Sequence, residues 1–212
     1  MKLYSYPPAP NPRRLHIFMG EKGISMPFEK VDLMKGEQLM PAFAAINPIL
    51  TVPVLVTDEG VTLTQVVAIC DYLEARYPEQ PLLGRTPVEK GEIREWSNRL
   101  LVEGLHAIAE VFRNGNPAFA NRALPGPLEL AQLPALVDRG LVRLDDFWNT
   151  LETRLQGREF VVGSAVSMAD IDAFATCEFA RWIRKSVPEA CVNIRRWQAA
   201  QSARPAFAAP PR

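Results

Sequence analysis

The residues whose types and spacing are best suited to binding a ligand lie around Pro53. It precedes the apolar run Val54–Val56, where a residue with a fixed φ and no N–H can open a strand but cannot continue one. A cis peptide bond here would turn the backbone N–H and C=O of Val52 outward, free to pair with an extended ligand. Thr64 is a predicted N-cap, so the helix after it would direct unsatisfied N–H groups at the same place. These features suit an extended peptide that carries a carboxylate, and an ordinary hairpin followed by a helix is the alternative.

The cysteines and histidines argue against three other chemistries. Cys70, Cys177 and Cys191 are widely separated and form no C-x-x-C pair, so we expect neither a dithiol redox centre nor a zinc site. Cys70 and Cys177 each lie in an apolar helical stretch and are predicted to be small core residues. The two histidines, His16 and His106, are too few for a metal cluster, and a Ser-His-Asp arrangement has no support in the sequence. We therefore expect no metal.

Composition and charge argue against further classes of protein. The 212 residues carry 24 Lys+Arg and 24 Asp+Glu, and this balance gives no support to nucleic-acid binding. No apolar stretch approaches the length needed to span a bilayer, so we expect no membrane partner. The first eight residues lack the apolar run of a signal peptide. The expected location is the cytoplasm.

The elements that must position the candidate residues divide the chain in two. Residues 1–77 alternate short apolar runs with helical patterns in the order βαβαββα, which predicts a small α/β sheet layered with helices. Residues 78–87 contain three prolines and one glycine, and we assign them as a linker. Residues 88–212 carry apolar stripes at helical spacing, which predicts an all-helical domain. The predicted helices of the first domain cover 12–22, 37–45 and 65–76, and its predicted strands cover 2–5, 28–33, 54–56 and 61–63.

One motif of the second domain is structural. Ser167 and Asp170 have the spacing of a capping box with Asp in place of Glu. The two side chains would satisfy N–H groups at the start of a central helix, so we expect no chemistry from them.

Several features follow one another at a characteristic spacing. They are the βαβαββα half, the Val52-Pro53 junction, Gln65 ahead of Ala68-Ile69-x-x-Tyr72-Leu73, the proline-rich linker and Ser167-Met168-Ala169-Asp170. In this order the chain resembles the cytosolic glutathione transferases from end to end. The opening Met1-Lys2-Leu3-Tyr4, with Pro10-Asn11-Pro12-Arg13-Arg14, is most similar to the bacterial subgroup related to the yeast type 2 transferase. The resemblance implies a thioredoxin-like domain, an all-helical domain, and a homodimer with a glutathione site in each subunit.

The resemblance assigns Gln38, Val52, Pro53, Gln65 and Val66 to a glutathione site, and it gives three of them a role that matches the family. Val52, before the expected cis Pro53, matches the residue whose backbone pairs with the cysteinyl part of glutathione. Gln65 matches the Glu or Gln that holds the γ-glutamyl end, and Gln38 falls where the family often has a side chain for the glycyl carboxylate. Polar and backbone donors suit a tripeptide with carboxylates at both ends.

Two positions depart from the family's pattern. The family normally has Ser directly after the Glu or Gln, and here that position is Val66, which keeps the backbone donor and lacks the hydroxyl. Ala9 occupies the position of the Ser that hydrogen-bonds the glutathione sulfur in many members, and alanine can donate nothing there. A transferase-like fold retained as a non-catalytic binding module is therefore one alternative.

Asn11 has two interpretations. It matches an Asn used by the related bacterial nu-type enzymes, which implies a role at the thiolate and a glutathione-dependent disulfide reductase as an alternative activity. It also precedes Pro12, and Asn at the N-cap with Pro at the first helical position is a common helix start. A side chain that caps its own helix is less free to donate to sulfur. Tyr4, Ser5 and Tyr6 are further candidates for the thiolate partner.

Three residues of the second domain are candidates for a second-substrate pocket: His106, Phe112 and Arg113. His106 borders an apolar stripe, so a structural role competes with a catalytic one. The favoured function is glutathione transfer in detoxification, with glutathione as co-substrate. The site would lower the pKa of its thiol and present the thiolate to an apolar electrophile.

Overall fold

Residues 1–208 are described by the computed structural model, and they divide into two units. The first comprises Met1–Gln80 together with Leu124–Leu128, and the second comprises Pro81–Ala123 and Glu129–Ala208. The limits proposed from the sequence, 1–77 and 88–212 around a linker at 78–87, stay a prediction.

A four-stranded mixed sheet forms the centre of the first unit. Its strands are β1 (Lys2–Ser5), β2 (Phe28–Lys30), β3 (Val54–Val56) and β4 (Thr62–Leu63), in the spatial order β2-β1-β3-β4. Strand β1 runs parallel to β2 and antiparallel to β3, which pairs antiparallel with β4. The helices are α1 (Pro10–Glu21), α2 (Pro41–Ala44) and α3 (Val66–Arg76). The predicted α/β architecture is confirmed.

The second helical segment is interrupted, because proline restricts the residue before it. We predicted one helix over 37–45, and the structure has a 3-10 turn at Glu37–Leu39 followed by α2. Met40 between them is extended, with φ −76° and ψ 147°. The ring of Pro41 disfavours helical geometry at the preceding residue, so the helix cannot run through.

Two helix starts differ from the prediction. Helix α1 begins at Pro10 with Ala9 as its N-cap, where we expected Asn11 in that role. Helix α3 begins at Val66 with Gln65 as its N-cap, where we expected Thr64. Neither N-cap side chain accepts a hydrogen bond from its helix. Both helices therefore begin with N–H groups that no cap satisfies.

The regular elements of the second unit are helices, and its loops include a β-bridge between Arg122 and Leu130. Its α-helices are α4 (Pro87–Arg99), α5 (His106–Gly115), α6 (Ala135–Arg154), α7 (Met168–Ala180) and α8 (Val192–Ser202). A π-helical segment, Leu100–Leu105, joins α4 to α5. Across residues 1–208, no helix has both the length and the apolar character needed to cross a membrane.

The capping box at the start of α7 is confirmed. Asp170 is fully buried, and its carboxylate accepts from the Ser167 N–H at 3.0 Å and the Val161 N–H at 2.9 Å. The Trp197 indole N–H donates to the same carboxylate at 3.0 Å. Burial raises the pKa of Asp170 to about 6, and these hydrogen bonds act against the rise. Asp170 thus joins α7 to the preceding loop and to α8.

Candidate functional site

The register between β1 and β3 places Val52 at one edge of the sheet. Tyr4 lies opposite Val54 in this antiparallel pair. Continuing the same register, Val52 lies level with Tyr6, just past the end of β1, where the chain turns towards α1. The junction before β3 and the segment leading into α1 therefore leave the sheet at the same edge.

The register between β3 and β4 brings the start of α3 to the same edge. Leu55 lies opposite Leu63, so Gln65 lies level with Pro53. Adjacent strands are about 4.8 Å apart, so the β4–α3 connection is a near neighbour of the Val52-Pro53 junction. Strand β2 is parallel to β1, and the segment that follows β2 also leaves here. We call this edge the sheet-end cleft.

The Val52-Pro53 peptide bond is cis, as expected. Val52 as a whole residue is 8% exposed, and its side chain packs in a cluster with Tyr4 and Phe43. Its main chain is different: within residues 1–208, neither the N–H nor the C=O of Val52 forms a hydrogen bond. The side chain is thus anchored in the core, while the two hydrogen-bonding groups of the backbone have no protein partner among the described residues.

Asn47 holds the loop that presents Val52. Its side chain is fully buried, its amide nitrogen donates to the Thr51 carbonyl at 2.8 Å, and its amide oxygen accepts from the Ile49 N–H at 3.0 Å. Between these contacts Leu50 has a φ of 59°, a left-handed conformation that side chains other than glycine seldom adopt. The buried amide therefore fixes the course of the chain directly before the junction.

The start of α3 offers both backbone and side-chain donors. The first-turn N–H groups, those of residues 66–68, have no acceptor within the described residues. The Gln65 side chain is exposed and does not cap its helix. Val66 is only 5% exposed, so its methyl groups face the protein interior. An anion at this helix start would meet N–H groups and the favourable end of the helix dipole.

Gln38 lies in the 3-10 turn that follows β2 and is 8% exposed. Its amide oxygen is buried and accepts no hydrogen bond from any of residues 1–208. A buried, unsatisfied amide costs free energy. A ligand that supplied an N–H or O–H donor for this oxygen would recover part of that cost.

Asn11 is exposed in the first turn of α1, and the prediction that it caps the helix is wrong. Pro10 and Pro12 lack N–H groups, and the Arg13 N–H donates to the Ala9 carbonyl at 2.8 Å. Asn11 thus carries the remaining backbone donor of this turn, and in the described part of the chain it has no acceptor. The side-chain oxygen accepts from the Arg14 guanidinium at 3.0 Å.

The other thiolate candidates are less accessible than Asn11. Ser5 is fully buried, and its hydroxyl is 2.9 Å from Nε2 of His16. Burial, with a contribution from the charge of Arg13, lowers the pKa of His16 to about 4, so the ring is neutral near pH 7. Tyr4 is 8% exposed, and Tyr6 is partly buried against the same cluster. The Ser5–His16 pair therefore joins β1 to α1.

The three candidates for the second-substrate pocket lie in the second unit and differ in their surroundings. His106 is exposed at the first position of α5. Phe112 packs edge-to-face against Phe119, Phe179 and Trp182, with ring centroids 5.0, 5.8 and 5.3 Å away. These contacts make Phe112 the centre of an aromatic cluster.

Arg113 holds the loop that follows α5. Its guanidinium donates to the carbonyl oxygens of Arg122 at 2.6 Å and Ala123 at 3.3 Å, and lies 4.5 Å from the ring centroid of Phe119. Burial, with the nearby charge of Arg122, lowers the pKa of Arg113 to about 10. Through these contacts Arg113 stabilises the loop that follows α5.

Redox and metal chemistry find little support in the described residues. Cys70, Cys177 and Cys191 are at most 6% exposed, and burial raises the pKa of Cys177 to about 12. Among residues 1–208, no three His, Cys, Asp or Glu side chains are grouped so as to hold a metal ion.

Comparison with known proteins agrees with this architecture. Residues 3–81 match the family model described as glutathione S-transferase, N-terminal domain, and residues 134–209 match the corresponding C-terminal domain. Glutathione S-transferase 2 of Saccharomyces cerevisiae is 34% identical over 97% of this chain and 87% of its own length. The chain belongs to the glutathione S-transferase family.

Solved structures of glutathione S-transferases extend the likeness to the whole fold. The crystal structure of Gtt2 from Saccharomyces cerevisiae has a TM-score of 0.88 at 32% identity and covers 98% of both chains. A class Gtt2 glutathione S-transferase of Vibrio parahaemolyticus has a TM-score of 0.82 at 29% identity, covering 98% of this chain and 95% of that one. The resemblance to the yeast type 2 transferase is therefore confirmed, and the roles of individual residues stay predictions.

Two residues of this glutathione S-transferase fold were missed by sequence reasoning. Arg14 contacts Asn11, and the i, i+3 spacing on a helix could have predicted that contact. Asn47 holds the loop before Val52, and its position before Pro48 suggested a turn but not a buried amide. Side-chain contacts within a loop depend on its exact path, which composition does not specify.

Proposed function

We propose that this protein transfers glutathione to an apolar electrophile, with glutathione as co-substrate and no bound metal. The observation that carries the proposal is the main chain of Val52, whose N–H and C=O are both unpaired within residues 1–208 at the sheet-end cleft. An extended peptide can pair with such a backbone as an added strand. The yeast relative, similar over almost the whole chain, is named a glutathione S-transferase.

The two carboxylates of glutathione would fix its direction in the cleft. The cysteinyl main chain would pair with Val52, and the γ-glutamyl carboxylate would meet the first-turn N–H groups of α3 and the side chain of Gln65. The side-chain NH2 of Gln38 would donate to the glycyl carboxylate at the other end, and its unpaired oxygen would be left to accept an N–H. Because these donors lie on different connections of the sheet, they favour one orientation of the peptide over its reverse.

We assign activation of the glutathione thiol to Asn11. Its backbone N–H and its side-chain amide both lie in the first turn of α1, where the helix dipole favours an anion. Hydrogen bonds to a thiolate stabilise the charged form and lower its pKa. The thiolate would attack the electrophilic atom, and the leaving group would depart with the bonding electrons.

A glutathione-dependent disulfide reductase is a second candidate. It is favoured by the Asn11 side chain, which is exposed and is not used as a cap. The glutathione thiolate would attack a substrate disulfide, and a second thiolate would resolve the mixed disulfide. Because all three cysteines of this chain are buried, that second thiolate would come from another glutathione.

We further propose a homodimer that acts in detoxification in the cytoplasm. The resemblance to the cytosolic transferases supports the location and the assembly. Large apolar side chains are also exposed on the second unit, with Val88 at 73%, Val102 at 43% and Val142 at 70%. Sedimentation equilibrium tests the assembly, and a monomer at high micromolar concentration would contradict it.

Two assays separate the candidate activities. Conjugation of glutathione to a generic aryl halide reports transfer, and a coupled assay with NADPH and glutathione reductase reports disulfide reduction. Gln156→Ala is a suitable control, because Gln156 is an exposed glutamine of the second unit. Turnover of the aryl halide supports the first proposal, turnover of the disulfide alone supports the second, and a failure to bind millimolar glutathione contradicts both.

A further inference from the structure

The contact between Arg14 and Asn11 has a consequence for the thiol. The Arg14 guanidinium donates to the side-chain oxygen of Asn11 at 3.0 Å, across one turn of α1. Arg14 is 4% exposed, whereas Asn11 is exposed. A buried, charged side chain thus holds one end of an amide whose other end faces outward.

The chemistry of the two groups decides which end of the amide faces outward. A guanidinium has five N–H donors and no acceptor, so the amide group must present its oxygen to Arg14. The amide nitrogen, with two N–H donors, is left for a ligand. Asn11 forms no other side-chain hydrogen bond within residues 1–208. Without Arg14, the exposed amide could rotate and present either its oxygen or its nitrogen to the cleft.

We propose that Arg14 is a positioning residue for thiol activation: it fixes the Asn11 amide so that its nitrogen donates to the glutathione sulfur. This inference rests on the proposed function of Asn11. An amide oxygen facing a thiolate would repel it, so the orientation decides whether Asn11 helps or hinders ionisation. A charged donor on the oxygen also polarises the amide and strengthens its N–H groups as donors.

A purely structural role for Arg14 makes a different prediction. A buried charge is costly to disturb, so replacing Arg14 could lower stability with no effect that depends on Asn11. Arg13 provides the comparison, because it is the adjacent residue on α1 and is also 4% exposed. If the thiol pKa depended only on a buried positive charge near the cleft, removing either arginine would raise that pKa by a similar amount.

The test is a double-mutant cycle on the pKa of the bound glutathione thiol, measured from the ultraviolet absorbance of the thiolate across a pH series. We expect Asn11→Ala and Arg14→Met each to raise that pKa by roughly one unit, a tenfold loss of thiolate. In the double variant the two effects should not add, because Arg14 acts through Asn11. Arg13→Met should combine additively with Asn11→Ala. Arg14→Lys keeps a charged donor and should recover part of the effect.

The outcomes separate this inference from the proposed function. If Asn11→Ala leaves the thiol pKa unchanged, the proposed role of Asn11 fails, and the role of Arg14 fails with it. If Asn11→Ala raises the pKa but Arg14→Met does not, or if the two effects add, the positioning role is overturned and glutathione transfer stands. Should Arg14→Met fail to fold, Arg14→Lys carries the test. A partial rise in the thiol pKa that disappears when residue 11 is already alanine supports the inference, and no rise, or a rise that adds in full to that of Asn11→Ala, overturns it.

Discussion

Replacing Val66 with Ser places a hydroxyl at the position where the family normally has one, and the structure predicts its cost. Val66 is 5% exposed, so the change removes two buried methyl groups. At about 0.8 kcal/mol for each group, the transfer term is roughly 1.6 kcal/mol. A residual cavity and a buried hydroxyl add to this, for a total loss of about 2–4 kcal/mol in the free energy of unfolding.

The same change could improve glutathione binding only if the hydroxyl reached the γ-glutamyl carboxylate. Such a hydrogen bond to a charged acceptor is worth about 1.5–3 kcal/mol, or at least a tenfold fall in Kd. Because the Val66 side chain faces the interior, we expect the serine hydroxyl to stay inside the protein. The carboxylate would still be held by backbone N–H groups of α3, so we expect Kd to change less than twofold.

Val66→Ala is the matched control, because it creates a similar void without a hydroxyl. Urea unfolding gives the stability of each variant, and titration calorimetry of the folded proteins gives Kd for glutathione. The difference between the serine and alanine variants isolates the hydroxyl. A serine variant that binds glutathione tenfold more tightly than the alanine variant would refute the reasoning, since the hydroxyl would then reach the ligand.

Three further predictions follow from the same contacts. Gln65→Ala should weaken glutathione binding by roughly tenfold, through loss of a hydrogen bond to a charged group, while thermal stability stays near that of the parent; calorimetry and a melting curve measure both. Asn11→Ala should lower the free energy of unfolding by about 1–3 kcal/mol, because the buried Arg14 guanidinium loses an acceptor, while no cap is lost since Ala9 is the N-cap. Urea unfolding measures the loss, and a loss of the same size in the Arg14→Met background would show that Asn11 supports the helix start itself. His16 has a pKa of about 4 in the folded protein and 6.5 as its ordinary value, so only the unfolded chain takes up a proton between these values. Stability should therefore fall as the pH drops from 6.5 to 4, by up to about 3 kcal/mol. His16→Gln should remove that slope, and urea titrations of both proteins across the window measure the difference, in which the opposite contribution of Asp170 cancels.

The architecture could be predicted from the sequence because its signals are local. Apolar runs, turn residues and prolines marked the strands and helices, and the Ser167–Asp170 box lies where its spacing placed it. The errors concern two helix starts and the helix predicted over 37–45, which is interrupted at Met40. Asn11 before Pro12 is a common start, but Pro10 also suits the first position, and the helix begins two residues earlier.

The candidate site could be predicted only in part. Sequence patterns predicted that Val52 and Gln65 lie close together, because the positions of the two residues follow from strand order and hairpin register. The orientation of the Val66 side chain could not be predicted, since one helical position gives no direction by itself. The task of Arg113 was also missed, because its carbonyl partners at residues 122 and 123 lie in a loop whose path sequence alone does not specify.

The most direct test of the central claim is a crystal structure of the protein soaked with glutathione. We predict that the cysteinyl N–H and C=O pair with the main chain of Val52 at about 2.7–3.2 Å, with the γ-glutamyl carboxylate at the start of α3 and the sulfur beside Asn11. Glutathione bound elsewhere, or absent from the sheet-end cleft at millimolar concentration, would contradict the account.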